Sequence, residues 1–288
     1  MSVQLQHPQW LDPKVWPYPI RSLDTGNFRI AYTDVGSGPP LFFLNVPQWS
    51  MVWRDVIYRL QGDFRCISLD APGLGLSERV PPHLQRLTAV RDAVVALTDH
   101  IGVTMATLVV HDLGGLSGLA AAAHRPDAFH QLIAVNTFGW RPDGILLPIM
   151  LRLFGSAPVR WLDAATRLLP IATSGRFGVG RKMDHPSRRA YRQAFDREAI
   201  ATMHRYFADA ARNGQIHREA ALGLEAMASH PAITVFGAWG DYLGFARRWR
   251  RRLPALKQHS IPRSFHFPMN DDPEEVATII AKADHPQP

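Results

Sequence analysis

Short apolar runs alternate along this chain with segments whose apolar residues recur every three or four positions, and that alternation restricts the fold more than any other feature. An apolar run bounded by turn residues suits a strand buried on both faces, and an amphipathic helix supplies the crossover that parallel strands need. The runs are PLFFLN at Pro40–Asn45, FRCISL, ATLVV at Ala106–Val110, QLIAVNT, AITVFG and KQHSI, with FRIAYTDVGSG ahead of them as an early hairpin strand. Helical patterns lie between: WSMVWRDVIYRL, LTAVRDAVVALTDHIG and Gly114 to His124. In the second, Val90, Val94, Leu97 and Ile101 share one face, and Gly102 is placed to end it. The expected fold class is α/β, a mostly parallel central sheet flanked by helices.

From about Phe138 to Ser229 the alternation lapses. Helical patterns dominate there, punctuated by Pro148, Pro158, Pro170 and Pro186. The segment reads as a helical insertion, giving a core of residues 1–137 and 230–288 and a cap of residues 138–229.

Composition removes several function classes. The 288 residues are 46% hydrophobic and 20% charged, and hold a single cysteine, Cys66, inside an apparent strand. That excludes a disulfide scaffold and makes Cys66 a buried thiol rather than a nucleophile. No window reaches the ~18 apolar residues of a membrane span, and no basic segment followed by an apolar run opens the chain. No membrane partner is expected, and the expected location is cytoplasmic. A formal charge of +7 raises nucleic acid, best supported by ARRWRRRL at Ala246–Leu253. There Phe245, Trp249 and Leu253 fall four apart, so one stripe faces a core and the arginines form a solvated face. The basic region Arg176–Arg192 reads as a surface of the insertion, and no nucleic acid is expected. No His/Cys/carboxylate cluster has metal-ligand spacing, and GLGLSE at Gly73–Glu78 lacks the third glycine of a dinucleotide loop. No metal or cofactor is expected.

The chemistry centres on TLVVHDLGGLSG, Thr107–Gly118. A buried strand that ends on an acid and continues through paired glycines into a helix displays that acid at the C-terminal sheet edge, where open α/β sheets bind ligands. The nucleophile elbow G-x-S-x-G has this shape, with Asp112 here at its centre. An Asp before Gly-Gly also suits a helix cap. Asp241, after AITVFG, and His266, after KQHSI, supply the chain order nucleophile, acid, histidine. Ser117, in GLSGL, sits one turn into the helix and does not make a serine elbow.

With these residues in place, the chain resembles the α/β-hydrolase superfamily, and specifically its haloalkane dehalogenase and epoxide hydrolase branch. The resemblance rests on HDLGG, PQWSMVWRDVI, LDAPGLGLSE, VNTFGW, GDYLGFARRW and HFPMNDDPEEV in that joint order, and covers nearly the whole chain. It implies a helical cap inserted after the sixth strand, an Asp nucleophile at Asp112, a general base at His266 and its carboxylate partner at Asp241. It also implies an oxyanion site from the backbone N–H groups of Leu113 and Val46. A carboxylate is ionised near neutral pH and attacks an sp3 carbon without losing a proton, leaving the histidine for the hydrolysis of the resulting ester.

Departures from the family concern the substrate. Dehalogenases of this kind follow the nucleophile with Trp and carry His-Gly-Asn-Pro after the third strand, whose Trp and Asn donate to the halide. This chain has Leu113 and Leu44-Asn45-Val46-Pro47, so only Asn45, one position off, offers a side-chain donor. Ring opening of an epoxide needs an acidic hydroxyl in the cap, for which Tyr191 and Tyr206 are the candidates, with Tyr242 a further one. Trp49, Phe138, Trp140 and Phe267 are candidate pocket residues. The expected function is hydrolysis of a small apolar electrophile, an epoxide in preference to a haloalkane, through an ester on Asp112. The third reading is a ligand-binding or non-hydrolytic protein on the same fold. A homodimer is left open.

Overall fold

The structure is a computed structural model that describes residues 2–142 and 144–284. Its centre is one sheet of strands β1 (Ser2–Leu5), β2 (Ile20–Asp24), β3 (Arg29–Val35), β4 (Pro40–Val46), β5 (Arg65–Leu69), β6 (Ala106–Asp112), β7 (Phe129–Thr137), β8 (Ala232–Gly237) and β9 (Lys257–Ile261). The spatial order is β1-β2-β3-β5-β4-β6-β7-β8-β9. β1 to β3 join the sheet antiparallel, and from β5 onward every pairing is parallel. The near-continuous apolar runs of β4, β6 and β7 lie in the middle, buried on both faces.

β4 is flanked by β5 on one side and β6 on the other, so the loops leaving β4 and β6 diverge at their C-terminal ends and open a crevice. Asp112 is the last residue of β6 and stands at that crevice.

The α/β class read from the sequence describes this architecture. β1 and β2 went unread, because β1 is fully exposed and β2 is a short polar strand. Counting them places the helical segment after the seventh strand rather than the sixth. That segment contains helices Leu146–Phe154, Ala157–Thr166, Leu168–Thr173, His185–Gln193, Arg197–Arg212 and Gly214–Ala226. Its punctuating prolines mark helix starts: Pro158 and Pro186 fall in first turns, behind N-caps whose side chains accept backbone N–H groups, Ser156 and Asp184. The last of these helices lies against the core helix Gly114–His124. Gly223 permits the approach, since a Cβ there would sit 1.8 Å from the Leu119 carbonyl oxygen.

Cys66 is fully buried, and burial pushes its thiol up to about 12. Helix Phe245–Arg252 buries Phe245 and Trp249 and turns most of its arginines to solvent.

Candidate active site

Asp112 has φ +52°, a left-handed conformation that turns its side chain off the strand, as the sharp strand-to-helix turn demands. The turn is held by close packing: the Thr137 hydroxyl donates to the Asp112 carbonyl, and a Cβ at Gly115 would lie 2.2 Å from that hydroxyl oxygen. The Asp112 carboxylate is free of helix-capping duty, for Leu113 caps the following helix without a side-chain bond. Instead Oδ2 lies 3.1 Å from Nε2 of His266, with both side chains partly exposed to a cavity.

His266 sits in the loop after β9, and that loop is fixed from two sides. Asp271 Oδ2 accepts the Ser264 hydroxyl and the Phe265 N–H, both at 2.9 Å. His111, fully buried beside the nucleophile, donates from Nε2 to the His266 carbonyl at 2.9 Å. A neutral imidazole has one N–H to give, so His111 Nδ1 must accept. Asn45 Oδ1 lies 2.6 Å from it; turned over, the same carboxamide donates its NH2 to Nδ1, which gives the otherwise unpartnered buried amide nitrogen its bond. Burial, reinforced by the facing His266, lowers the His111 pKa to about 3, in keeping with a neutral ring.

Asp241 is not brought to His266. Its carboxylate accepts the N–H of Phe245 at 2.6 Å and of Ala246 at 3.1 Å, capping helix Phe245–Arg252. Among the described residues no hydrogen bond joins it to the histidine. Burial raises its pKa against the lowering effect of those two donors. The expected oxyanion donors are likewise not both available, because the Leu113 N–H is spent on the Val46 carbonyl at 2.9 Å.

The cavity over Asp112 and His266 has a volume of about 230 Å³. Leu113, Phe138, Leu147, Phe154, Phe245 and Phe267 make it apolar, and the polar residues that line it besides the pair are Gln48, Asn136, Thr173 and Tyr242. Asn136 is committed to holding β8 and the histidine loop, accepting the Gly237 N–H and donating to the Phe265 carbonyl.

Of the pocket candidates, Phe138 and Phe267 line the cavity. Trp49 is fully buried against Trp10 and Trp16, and Trp140 packs on Phe245 and Trp249. Asn45 is turned to His111 and Val46 is fully buried. Neither Tyr191 nor Tyr206 lines the cavity: the Tyr206 hydroxyl donates to the Pro72 carbonyl at 2.6 Å, and the Tyr191 hydroxyl donates to the Gln48 side-chain oxygen.

Gln48 is therefore the residue that sequence reasoning missed. With its oxygen held by Tyr191, its NH2 is the end presented to the cavity. Its loop is anchored by Asp70, fully buried, whose two oxygens accept the Ser50 and Leu76 N–H groups at 2.7 Å each. The available signal was the one side-chain amide in PQWS, two positions beyond Val46, where donors were sought.

Comparison with known proteins agrees with this layout. A family model described as alpha/beta hydrolase fold matches residues 42–208. The chain is 31% identical over 171 residues to haloalkane dehalogenase 2 of Mycobacterium tuberculosis, covering 57% of this chain and 60% of that protein. It is 29% identical over 285 residues to the cis-3-alkyl-4-alkyloxetan-2-one decarboxylase of Shewanella oneidensis, covering 92% of this chain and 87% of that one. Among solved structures, the epoxide hydrolase CorEH superimposes with a TM-score of 0.78 at 20% identity, covering 93% of this chain and 98% of its own. The haloalkane dehalogenase DbeA from Bradyrhizobium elkani gives 0.77 at 21%, covering 93% and 99%. These superpositions show a shared fold. The chain belongs to the α/β-hydrolase family, and its sequence relatives include proteins named haloalkane dehalogenases.

Proposed function

We propose that the protein is a hydrolase in which Asp112 attacks an electrophilic carbon and His266 hydrolyses the resulting ester. The observation that carries this is the Asp112 carboxylate 3.1 Å from His266 Nε2 at the floor of an apolar cavity. For an epoxide, an Asp112 oxygen forms a bond to a ring carbon, the C–O bond breaks with its electrons going to the ring oxygen, and that oxygen takes a proton from solvent to become a hydroxyl. His266 then removes a proton from water, the hydroxide adds to the ester carbonyl carbon, and the collapse releases a diol and restores the carboxylate.

The donor for the developing alkoxide is the Gln48 NH2, oriented by Tyr191. Burial, and then the charge of Asp112, raise the Tyr191 pKa well above its ordinary value, so it remains a neutral hydroxyl. Tyr242 lines the mouth of the same cavity and is a second source of an O–H. A halide departing here would meet the Gln48 amide and the Tyr242 hydroxyl but takes no proton, so its charge stays in an apolar site at a cost, whereas a ring oxygen is neutralised by protonation. A strained oxygen ring is thus the favoured substrate class. The four-membered lactone ring named for the Shewanella relative belongs to that class, and the 92% coverage of this chain in that match favours it as a second reading.

The test is an acid-quenched incubation with a panel of epoxides, alkyl-substituted β-lactones and bromoalkanes, followed by intact-protein mass. With His266→Gln, an adduct on Asp112 from the strained rings is expected. An unchanged mass with every electrophile refutes the covalent reading, and an adduct from bromoalkanes alone refutes the choice of substrate.

A further inference from the structure

Most of the large hydrophobic side chains exposed on this chain fall within residues 145–177. Trp161 is 68% exposed, Phe177 65% and Leu168 63%. Helix Leu146–Phe154 shows how unusual the surface is. Leu147 and Leu151 face inward, while Leu146, Ile149 and Leu153 form a second apolar stripe on the outside. A helix apolar on both sides is expected to have a partner on both sides.

Charge indicates what that partner is. Residues 145–177 contain Arg152, Arg160, Arg167 and Arg176, and a single acid, Asp163. Asp163 is buried, with one oxygen on His204 and the other on the Leu169 N–H. Residues 145–177 therefore contribute apolar side chains and guanidinium groups and no exposed carboxylate to the surface. Apolar residues that enter an acyl boundary, set among cations, are the composition of helices that lie in the plane of an anionic lipid surface. A protein partner would more commonly be met by a rim of both charge signs.

Two cavities that share a wall lie between this face and the site. A second apolar cavity, of about 210 Å³, is lined on its outer side by the exposed Leu162 and Leu168, and on its inner side by Phe154 and Leu169. Phe154 and Leu169 also line the cavity over Asp112. We propose that the outer face of the cap docks on an anionic membrane surface and that apolar substrate passes from the lipid between Leu162 and Leu168 toward Asp112. The docking stands independently of the chemistry at Asp112, whereas the substrate path rests on that reading. No described helix is long and apolar enough to cross a membrane, and in-plane docking needs none.

The test is flotation of the full chain with vesicles of phosphatidylcholine alone or mixed with phosphatidylglycerol, with folding of every variant checked by circular dichroism. Binding to the mixed vesicles is expected. Arg152→Gln with Arg160→Gln should weaken it about 25-fold, taking about fivefold for each arginine. Ile149→Gln with Leu153→Gln and Trp161→Gln should remove it, and Tyr58→Gln, exposed on the core, should leave it unchanged. Equal binding to both vesicle types, or binding indifferent to both variant sets, overturns the proposal. So does a solution dimer that the apolar substitutions dissociate while the parent chain ignores vesicles, since the face would then join two copies. Adduct formation by a short, water-soluble epoxide reads the chemistry separately from docking.

Discussion

Replacing Asp241 with Asn separates two roles that the same carboxylate can fill. As the histidine's partner, its loss would cost about 10⁴ in turnover through the wrong imidazole tautomer. As the cap of helix Phe245–Arg252, it accepts Phe245 N–H at 2.6 Å and Ala246 N–H at 3.1 Å. Asn keeps one acceptor oxygen and remains a good N-cap, so the loss is one charge-assisted bond and a favourable charge at a helix N-terminus. That amounts to about 1–2 kcal/mol. For a chain of this size it lowers Tm by roughly 2–3 °C. Phe245 lines the cavity, so a loosened helix start should move KM more than kcat, each by less than about tenfold. Thermal denaturation beside steady-state kinetics, with intact-protein mass under turnover, measures both sides. A drop of about 10⁴ in kcat with ester accumulating on Asp112, and an unchanged Tm, would show that Asp241 serves His266 in the working enzyme and that the capping geometry is not the functional one.

Three other outcomes follow from the same geometry. Gln48→Leu, which removes the side-chain donor over Asp112 and leaves the buried Tyr191 hydroxyl unpaired, should reduce the first-step rate about 100-fold and lower stability by about 1–3 kcal/mol. Tyr191→Phe, which only frees the Gln48 amide to rotate, should cost about tenfold in stopped-flow alkylation, and a larger loss than that of Gln48→Leu would contradict the relay. The His111 pKa is lowered to about 3, so the unfolded chain takes a proton there before the folded chain does. The stability contributed by the neutral ring is present above its unfolded value near 6.5 and is lost as pH falls from there toward about 3, at up to about 1.4 kcal/mol per pH unit. Urea midpoints across that range should fall less steeply for His111→Gln than for the parent chain, and parallel slopes would exclude His111 as the linked group.

The central strands were legible because burial on both faces writes them as unbroken apolar runs, and β4, β6 and β7 could be nothing else. β1 and β2 pair only at the sheet edge, where the sequence is polar, so nothing distinguishes them from loop. The same difference separates Asp112 and His266 from Asp241. Asp112 ends a strand that fixes its direction, and His266 sits in a loop held by Asp271, from its own motif, and by His111, the neighbour of Asp112. Asp241 lies four residues beyond β8 and just ahead of a helix, and chain order cannot decide whether its carboxylate serves that helix or a histidine. At the preceding position a side chain is excluded, because a Cβ on Gly240 would lie 2.4 Å from the Phe265 carbonyl oxygen. The tyrosines misled for a related reason. Tyr206 shares one stripe with Met203 and Ala210, so periodicity sends it inward, yet its hydroxyl is claimed by the nearest carbonyl, Pro72, before it reaches the cavity. Direction is inherited from secondary structure, whereas the hydrogen-bond partner is settled by whichever buried group would otherwise go unpaired. Gln48 reaches the site by that second rule, and a donor of this kind is found by tracing which end of each buried amide is already held.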